Sequence, residues 1–215
     1  MTERRSIVFI AVFTFILGLL AGLALPKVLP ISERAIHSLT ASSDAEENQA
    51  PGSSVSLTIA ALETAEAIRA RDYSLLSQYV HPEKGVTFSP SATVDVSSNQ
   101  VFSAGQVADA GTSKSTYVWG TTSDAASPIS LTINDYFTAY VWDQDYLSDL
   151  RLSVNSVQSS GNALENTADA YPDGQFVEFY CPGSGQSGWT ALKLVFEWYN
   201  GDWYLVGVVH SSWSA

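Results

Sequence analysis

Residues 192–210, LKLVFEWYNGDWYLVGVVH, are the stretch that decides the fold. Apolar and aromatic residues recur at every second position on both sides of Asn200-Gly201-Asp202. An Asn-Gly pair between two such runs is typical of a tight β-hairpin, because both residues tolerate positive φ. We therefore predict two antiparallel strands, Leu192 to Tyr199 and Trp203 to His210.

Working outward from this hairpin, the sequence predicts further strands and a helical N-terminal part. In Phe176 to Cys181 both alternating faces carry apolar residues, so both faces of the sheet are expected to be covered. Leu57 to Val80 has helical spacing that is interrupted at Arg69 to Asp72, which predicts two helical pieces. Shorter strands are predicted at Gly85 to Ser89, Thr93 to Val96, Thr116 to Thr121 and Leu152 to Gln158.

This order of elements predicts the fold class α+β, with N-terminal helices packed on a curved antiparallel sheet. Two capping signatures predict further short helices. In one, Ser103 is followed three positions later by Gln106, and in the other, Thr132 is followed by Asp135.

The N-terminus predicts a membrane-directed leader. Residues 7–25 contain no charged residue and follow Arg4 and Arg5, which favours a cytoplasmic N-terminus and an extracytoplasmic remainder. The sequence thus divides into a transmembrane signal anchor or signal peptide at 1–26, a flexible linker at 27–56 and an extracytoplasmic domain at 57–215. The predicted location is a single-pass cell-membrane protein, or a secreted one if the leader is cleaved after Ala24.

The charge of the domain excludes nucleic acid as a partner. Residues 57–215 hold six Lys or Arg against seventeen Asp or Glu, a net charge of −11. Nucleic-acid binding needs clustered basic residues that neutralise phosphates, and the basic residues here are scattered.

Several stretches resemble a family of uncharacterised exported or lipid-anchored proteins of Gram-positive bacteria. They are HPEKGVTFSP (81–90), TYVWG (116–120), SVNSVQSSGN (153–162), VEFYCPGS (177–184) and LKLVFEWYNGDWYLVGVVHSSW (192–213). The resemblance implies the cone-shaped α+β fold of the nuclear transport factor two superfamily, in which helices and a bent sheet enclose a pocket. It implies no particular activity, because that superfamily contains both binding proteins and enzymes.

Three titratable residues are candidates for a pocket. Glu178 and Glu197 lie in mid-strand among aromatic residues, where an ionised carboxylate is costly unless it is paired or solvated. Each could bind a cationic or hydroxylated ligand or act as a general base. The structural alternatives are cross-strand pairing, for example with Lys193 or Arg151, and an exposed sheet face. His210 ends the last strand, where a structural role is the alternative to catalysis.

Aromatic residues supply further candidates for ligand binding. Trp142, Trp189 and Trp213 occupy loop or terminal positions and could line a groove for a glycan or a peptide. No metal-ligand spacing and no phosphate-binding loop accompany them, so we predict neither a metal nor a cofactor.

The sequence therefore leads to a non-catalytic binding or interaction domain with an unknown envelope ligand or protein partner. The alternative is a pocket enzyme, a hydrolase or an isomerase, that uses Glu178, Glu197 or His210. A third hypothesis is an envelope protein that forms homo-oligomers through its sheet.

Overall fold

The computed structural model describes residues 52–122, 127–159, 161, 164–183 and 188–213. The helices are α1 (Ser54–Arg69), α2 (Tyr73–Tyr79), α3 (Ala104–Ala108), α4 (Ile133–Tyr136), which continues as a π-helical turn (Phe137–Val141), and α5 (Thr167–Ala170). The strands are β1 (Val86–Ser89), β2 (Gln100–Phe102), β3 (Thr116–Thr121), β4 (Pro128–Thr132), β5 (Leu152–Val154), β6 (Gln175–Cys181), β7 (Trp189–Tyr199) and β8 (Asp202–Trp213).

The predicted hairpin is confirmed and is longer than the sequence pattern indicated. Asn200 and Gly201 have φ values of 51° and 93°, so two residues with positive φ reverse the chain between β7 and β8. The pairing runs from Tyr199 with Asp202 to Trp189 with Trp213. One irregularity beside Val195 places an extra residue in β8, which is the arrangement of a β-bulge.

The main sheet has six strands in the order β2-β1-β8-β7-β6-β5. It is mixed rather than antiparallel as predicted, because β1 runs parallel to β8, pairing Thr87 with Gly207 and Ser89 with Val209. The sequence pattern of a four-residue strand carries no information about the direction of a partner far along the chain. Strands β3 and β4 form a separate two-stranded sheet. The fold is α+β, with helices and a mixed sheet.

The two predicted N-terminal helices are confirmed, and local chemistry separates them. Arg71 has a φ of 54°, which ends the helical path, and the Asp72 carboxylate then accepts a hydrogen bond from the Leu75 amide as the cap of α2. Apolar side chains of α1, including Leu57, Ala61 and Ile68, belong to the same buried cluster as Phe179 and Leu194 of the sheet. Helix and sheet therefore share one core.

Two predicted strands differ in the structure. The segment from Thr93 to Val96 forms no strand, because the Asp95 carboxylate accepts hydrogen bonds from the Ser97 amide and the Ser98 hydroxyl and holds the backbone in a turn. Strand β5 ends at Val154, short of the predicted Gln158, because Asn155 has a φ of 50°.

The expectation of a transmembrane helix is corrected by the helices of the structure. Across the described ranges, no helix is long and apolar enough to cross a membrane. The longest of them, α1, has 16 residues, fewer than the roughly 20 that a spanning helix needs, and it carries Glu63 and Glu66. Segment 7–25, from which the expectation came, lies outside the described residues, as does the linker up to residue 51.

Candidate functional site

The sheet has two faces, and they separate the candidate residues. We call the face that packs on α1 the inner face; it carries Phe179, Leu192, Leu194, Val208 and His210. The outer face carries alternate residues of the same strands, among them Phe176, Glu178, Lys193, Val195 and Val209. Both faces are covered, as predicted.

Glu178 lies under the outer covering and has no exposed surface. Its Oε1 accepts hydrogen bonds from the backbone amides of Gln158 and Ser159 at 2.6 and 2.9 Å, and its Oε2 accepts one from the Ser159 hydroxyl at 2.8 Å. The ammonium of Lys193, the cross-strand neighbour, lies 3.3 Å from Oε2. The cross-strand alternative is therefore the one that the structure supports for this residue.

Lys193 is equally buried and joins a second carboxylate. Its Nζ lies 2.5 Å from Glu165 Oε2 and donates to the Ser211 hydroxyl at 3.3 Å. Glu165 is also held by the Thr167 amide, which donates to its Oε1 at 2.7 Å. These contacts tie Ser159 and Glu165 to the outer face, so we read Glu178, Lys193 and Glu165 as a structural ion cluster rather than a ligand site.

The cluster predicts a specific loss of stability in acid. Burial raises the pKa of Glu165, but the Lys193 ammonium and the Thr167 hydroxyl and amide outweigh it, so that the pKa lies below its ordinary value of 4.5. A carboxylate with a lowered folded-state pKa contributes stability above its unfolded pKa, and this is lost as the pH falls through the folded pKa. In urea unfolding at pH 7, E165Q should lose about 1.5–3 kcal/mol, as expected for a charge-assisted hydrogen bond.

The acid dependence of the same variant provides the check. From pH 5 downward, unfolding free energies of E165Q should fall less steeply than those of the wild type, because the titrating group is gone. E66Q is the matched control, since Glu66 forms a surface pair with Arg69 within α1. Equal slopes for E165Q and the wild type would contradict the prediction.

Glu197 also lies on the outer face, four residues further along β7 than Lys193. Its Oε2 accepts a hydrogen bond from Lys84 Nζ at 2.5 Å, and the two side chains are 13% and 53% exposed respectively. This partner was not predicted from the sequence, because Lys84 lies 113 residues away in the chain. The pair borders a cleft of about 260 Å³ that Thr87, Tyr171, Asp173 and Val206 also line.

His210 lies on the inner face, near the end of the sheet. Its Nε2 lies 3.2 Å from Asp143 Oδ2, and the Tyr146 hydroxyl donates to Asp143 Oδ1 at 2.6 Å. Burial raises the pKa of Asp143. The hydrogen bond and charge of His210 and the hydrogen bond of Tyr146 lower it by more, so the pKa of Asp143 lies below its ordinary value. Asp143, whose side chain is 19% exposed, therefore links the buried side chains of His210 and Tyr146.

The three titratable candidates do not converge. Glu178 pairs with Lys193, which pairs with Val209, so the next residue of β8, His210, faces the opposite side of the sheet. Glu197 occupies the far end of the outer face beside Lys84. In the described part of the chain, Glu178, Glu197 and His210 therefore occupy three separate places and do not meet in one site.

The three tryptophans also separate into two places. Trp189 and Trp213 are cross-strand partners at the end of β7 and β8, and the Tyr180 ring lies 6.1 Å from that of Trp189. We call Tyr180, Trp189 and Trp213 the aromatic strip. Trp142 packs instead against Tyr146, at 5.5 Å between ring centroids.

The aromatic strip is partly covered, because Gly161 packs against Trp189 and Trp213, and part of each ring stays accessible. The exposed fraction of Trp213 is 41%, and Trp189 and Tyr180 are half-buried. The Tyr180 amide donates to the carbonyl of Arg151, which directly precedes the neighbouring strand β5, and the Arg151 side chain is paired with Asp149 at 3.0 Å. Accessible aromatic rings of this kind can stack on a ligand.

Comparison with known proteins adds no relative from which a function could be transferred. No family model matches the chain, and no curated protein matches it significantly. The function has to be argued from the site itself.

Proposed function

We propose that the folded part of this chain is a non-catalytic, extracytoplasmic binding domain that holds an uncharged polysaccharide of the cell envelope against the aromatic strip. The observation that carries the proposal is the cross-strand pair of Trp189 and Trp213, with Tyr180 beside it, at an accessible end of the sheet. Aromatic rings offer large, rigid contact area at low entropic cost, and sugar rings present flat apolar faces to them.

Charge supports an uncharged ligand over a charged one. The net charge of −11 on residues 57–215 repels polyanions at long range. Beside the strip, Arg151 and Asp149 already pair with one another at 3.0 Å. A neutral hydroxyl-rich chain needs neither a counter-ion nor the displacement of this pair.

The separation of the titratable residues supports a binding role over the pocket enzyme. Glu178 is fully satisfied by hydrogen bonds and an ion pair, and His210 lies on the other face of the sheet. Neither is available to a ligand on the aromatic strip.

The location and the finer fold belong to the same proposal. An extracytoplasmic position rests on the uncharged segment 7–25 after Arg4 and Arg5. The cone of the nuclear transport factor two superfamily is supported by N-terminal helices that pack on one face of the sheet and by the β-bulge, which bends a strand.

Affinity electrophoresis tests the ligand class. The full chain is run through native gels that contain glycol chitin, laminarin, xylan or dextran, and at least one should retard it. W213A and W189A should each weaken that retardation about tenfold, the loss expected when a central aromatic contact is removed. W198A is the matched control, because Trp198 is 39% exposed and lies at the opposite end of β7.

The outcomes separate the alternatives. Retardation that W213A abolishes and W198A preserves supports the proposal. Absence of retardation by all four polysaccharides, or equal losses in W213A and W198A, overturns it. Trp213-dependent binding of peptides in place of polysaccharides would overturn the ligand class.

A further inference from the structure

The cleft beside Glu197 is a second concave site, separate from the aromatic strip. Its floor is Tyr171, which lies across β8 where Gly207 leaves room for it: a Cβ at position 207 would stand 2.6 Å from the Tyr171 hydroxyl oxygen. The bulge in β8 brings Val206 to the same surface. The absence of a side chain at Gly207 and the bulge in β8 thus form the cleft, and the ring of Tyr171 is its floor.

The hydroxyl of Tyr171 is a buried polar group without a complete hydrogen bond. The residue is 7% exposed, and no described group forms a hydrogen bond of acceptable geometry with its oxygen. The Thr87 hydroxyl lies beside it, close enough to oppose the effect of burial, which raises the pKa of Tyr171 to about 12. An unpaired buried hydroxyl costs free energy, which a hydrogen bond to a ligand oxygen or nitrogen would recover.

The charges around the cleft favour a cation. Glu197 and Asp173 contribute two carboxylates, and Lys84 contributes one ammonium. Half of the Lys84 side chain is exposed while Glu197 is largely buried, so the ammonium is the partner that can leave. The Lys84 ammonium already binds the Glu197 carboxylate, so an ammonium group is the kind of ligand group that this carboxylate accepts.

We propose that this cleft binds a small hydroxylated amine of the amino-sugar class, whose ammonium replaces that of Lys84 on Glu197 and whose hydroxyl groups reach Tyr171 and Thr87. Lys84 therefore competes with the ligand ammonium for the Glu197 carboxylate. Because the Lys84 ammonium is half exposed, its pair with Glu197 contributes little and is easily displaced, whereas the Tyr171 hydroxyl gains a partner.

Isothermal titration calorimetry of the full chain at pH 7 tests this assignment with three probes. Glucosamine carries the amine and the hydroxyl groups, N-acetylglucosamine lacks the charge, and butylamine lacks the hydroxyl groups. Glucosamine should bind at least tenfold more tightly than either of the others. Equal affinities for all three, or no measurable binding of glucosamine, would overturn the proposal.

Four variants locate the binding. E197Q should weaken glucosamine binding at least tenfold, and Y171F, which keeps the ring on Gly207, about fivefold. K84M should strengthen it severalfold, a gain that misfolding cannot produce. E83Q is the control for a general loss of negative charge, because Glu83 binds the Tyr199 hydroxyl and is not among the lining residues.

Two results would contradict the assignment of the cleft. One is unchanged affinity in K84M, which would show that Lys84 does not compete. The other is equal weakening by E83Q and E197Q, which would reduce the effect to long-range charge. W213A should leave glucosamine affinity unchanged, so failure here and failure of polysaccharide binding at the strip are distinguishable.

Discussion

Replacing Lys193 by methionine should lower the free energy of unfolding by about 3–5 kcal/mol, since it removes one partner of a buried ion pair and leaves the other uncompensated. The Glu178 carboxylate has no exposed surface and stays enclosed when the ammonium is removed. Methionine keeps the length of the side chain, so the loss of unfolding free energy is due to the missing charge and not to a cavity. Urea unfolding followed by tryptophan fluorescence measures it.

The charge explanation has two internal controls. E178Q/K193M should recover part of the loss, because the enclosed carboxylate becomes neutral. K84M should cost less than about 1 kcal/mol, because the Lys84 side chain of the pair with Glu197 is 53% exposed. The prediction fails if K193M and K84M are equally stable.

Replacing Trp119 by alanine should cost about 3–5 kcal/mol, as is typical when a buried tryptophan is truncated. Its ring is fully buried and stacks on Tyr136 at 3.8 Å between centroids and on Phe102 at 5.4 Å. Its Nε1 also donates to the Leu131 carbonyl at 3.0 Å. The side chain therefore joins the small sheet to the main core.

Thermal and urea unfolding measure this loss against two variants. W119F should be intermediate, because phenylalanine keeps an aromatic ring but cannot donate to Leu131. W198A should cost far less, since Trp198 is 39% exposed and contacts mainly Trp203 and Gly52. Equal losses in W119A and W198A would show that Trp119 does not connect the two sheets.

Local sequence signals predicted the local structure. The Asn200-Gly201 turn, the Ser103 and Gln106 capping box and the break before Asp72 each depend on residues a few positions apart, and each is present. The burial of both faces of β6 also followed from its alternating apolar residues.

The partners of the candidate site residues could be predicted only where strands are neighbours in a regular register. Glu178 and Lys193 are opposite one another in adjacent antiparallel strands, so their pairing was among the sequence alternatives. Glu165 and Lys84 reach their partners from loops, and no periodicity indicates them. The contact of Asp143 with His210 joins residues 67 apart in the chain, and no local sequence pattern indicates such a contact.

The parallel pairing of β1 with β8 also determines when the domain can fold. It joins residues 87–89 to residues 207–209, so a loop of about 120 residues must close before β1 gains its neighbour. Contacts so distant in sequence slow folding, and a chain that emerges N-terminus first presents its helices and β1 long before β8 is available. Part of the apolar surface of β1 and of the N-terminal helices therefore stays uncovered until β8 has been synthesised.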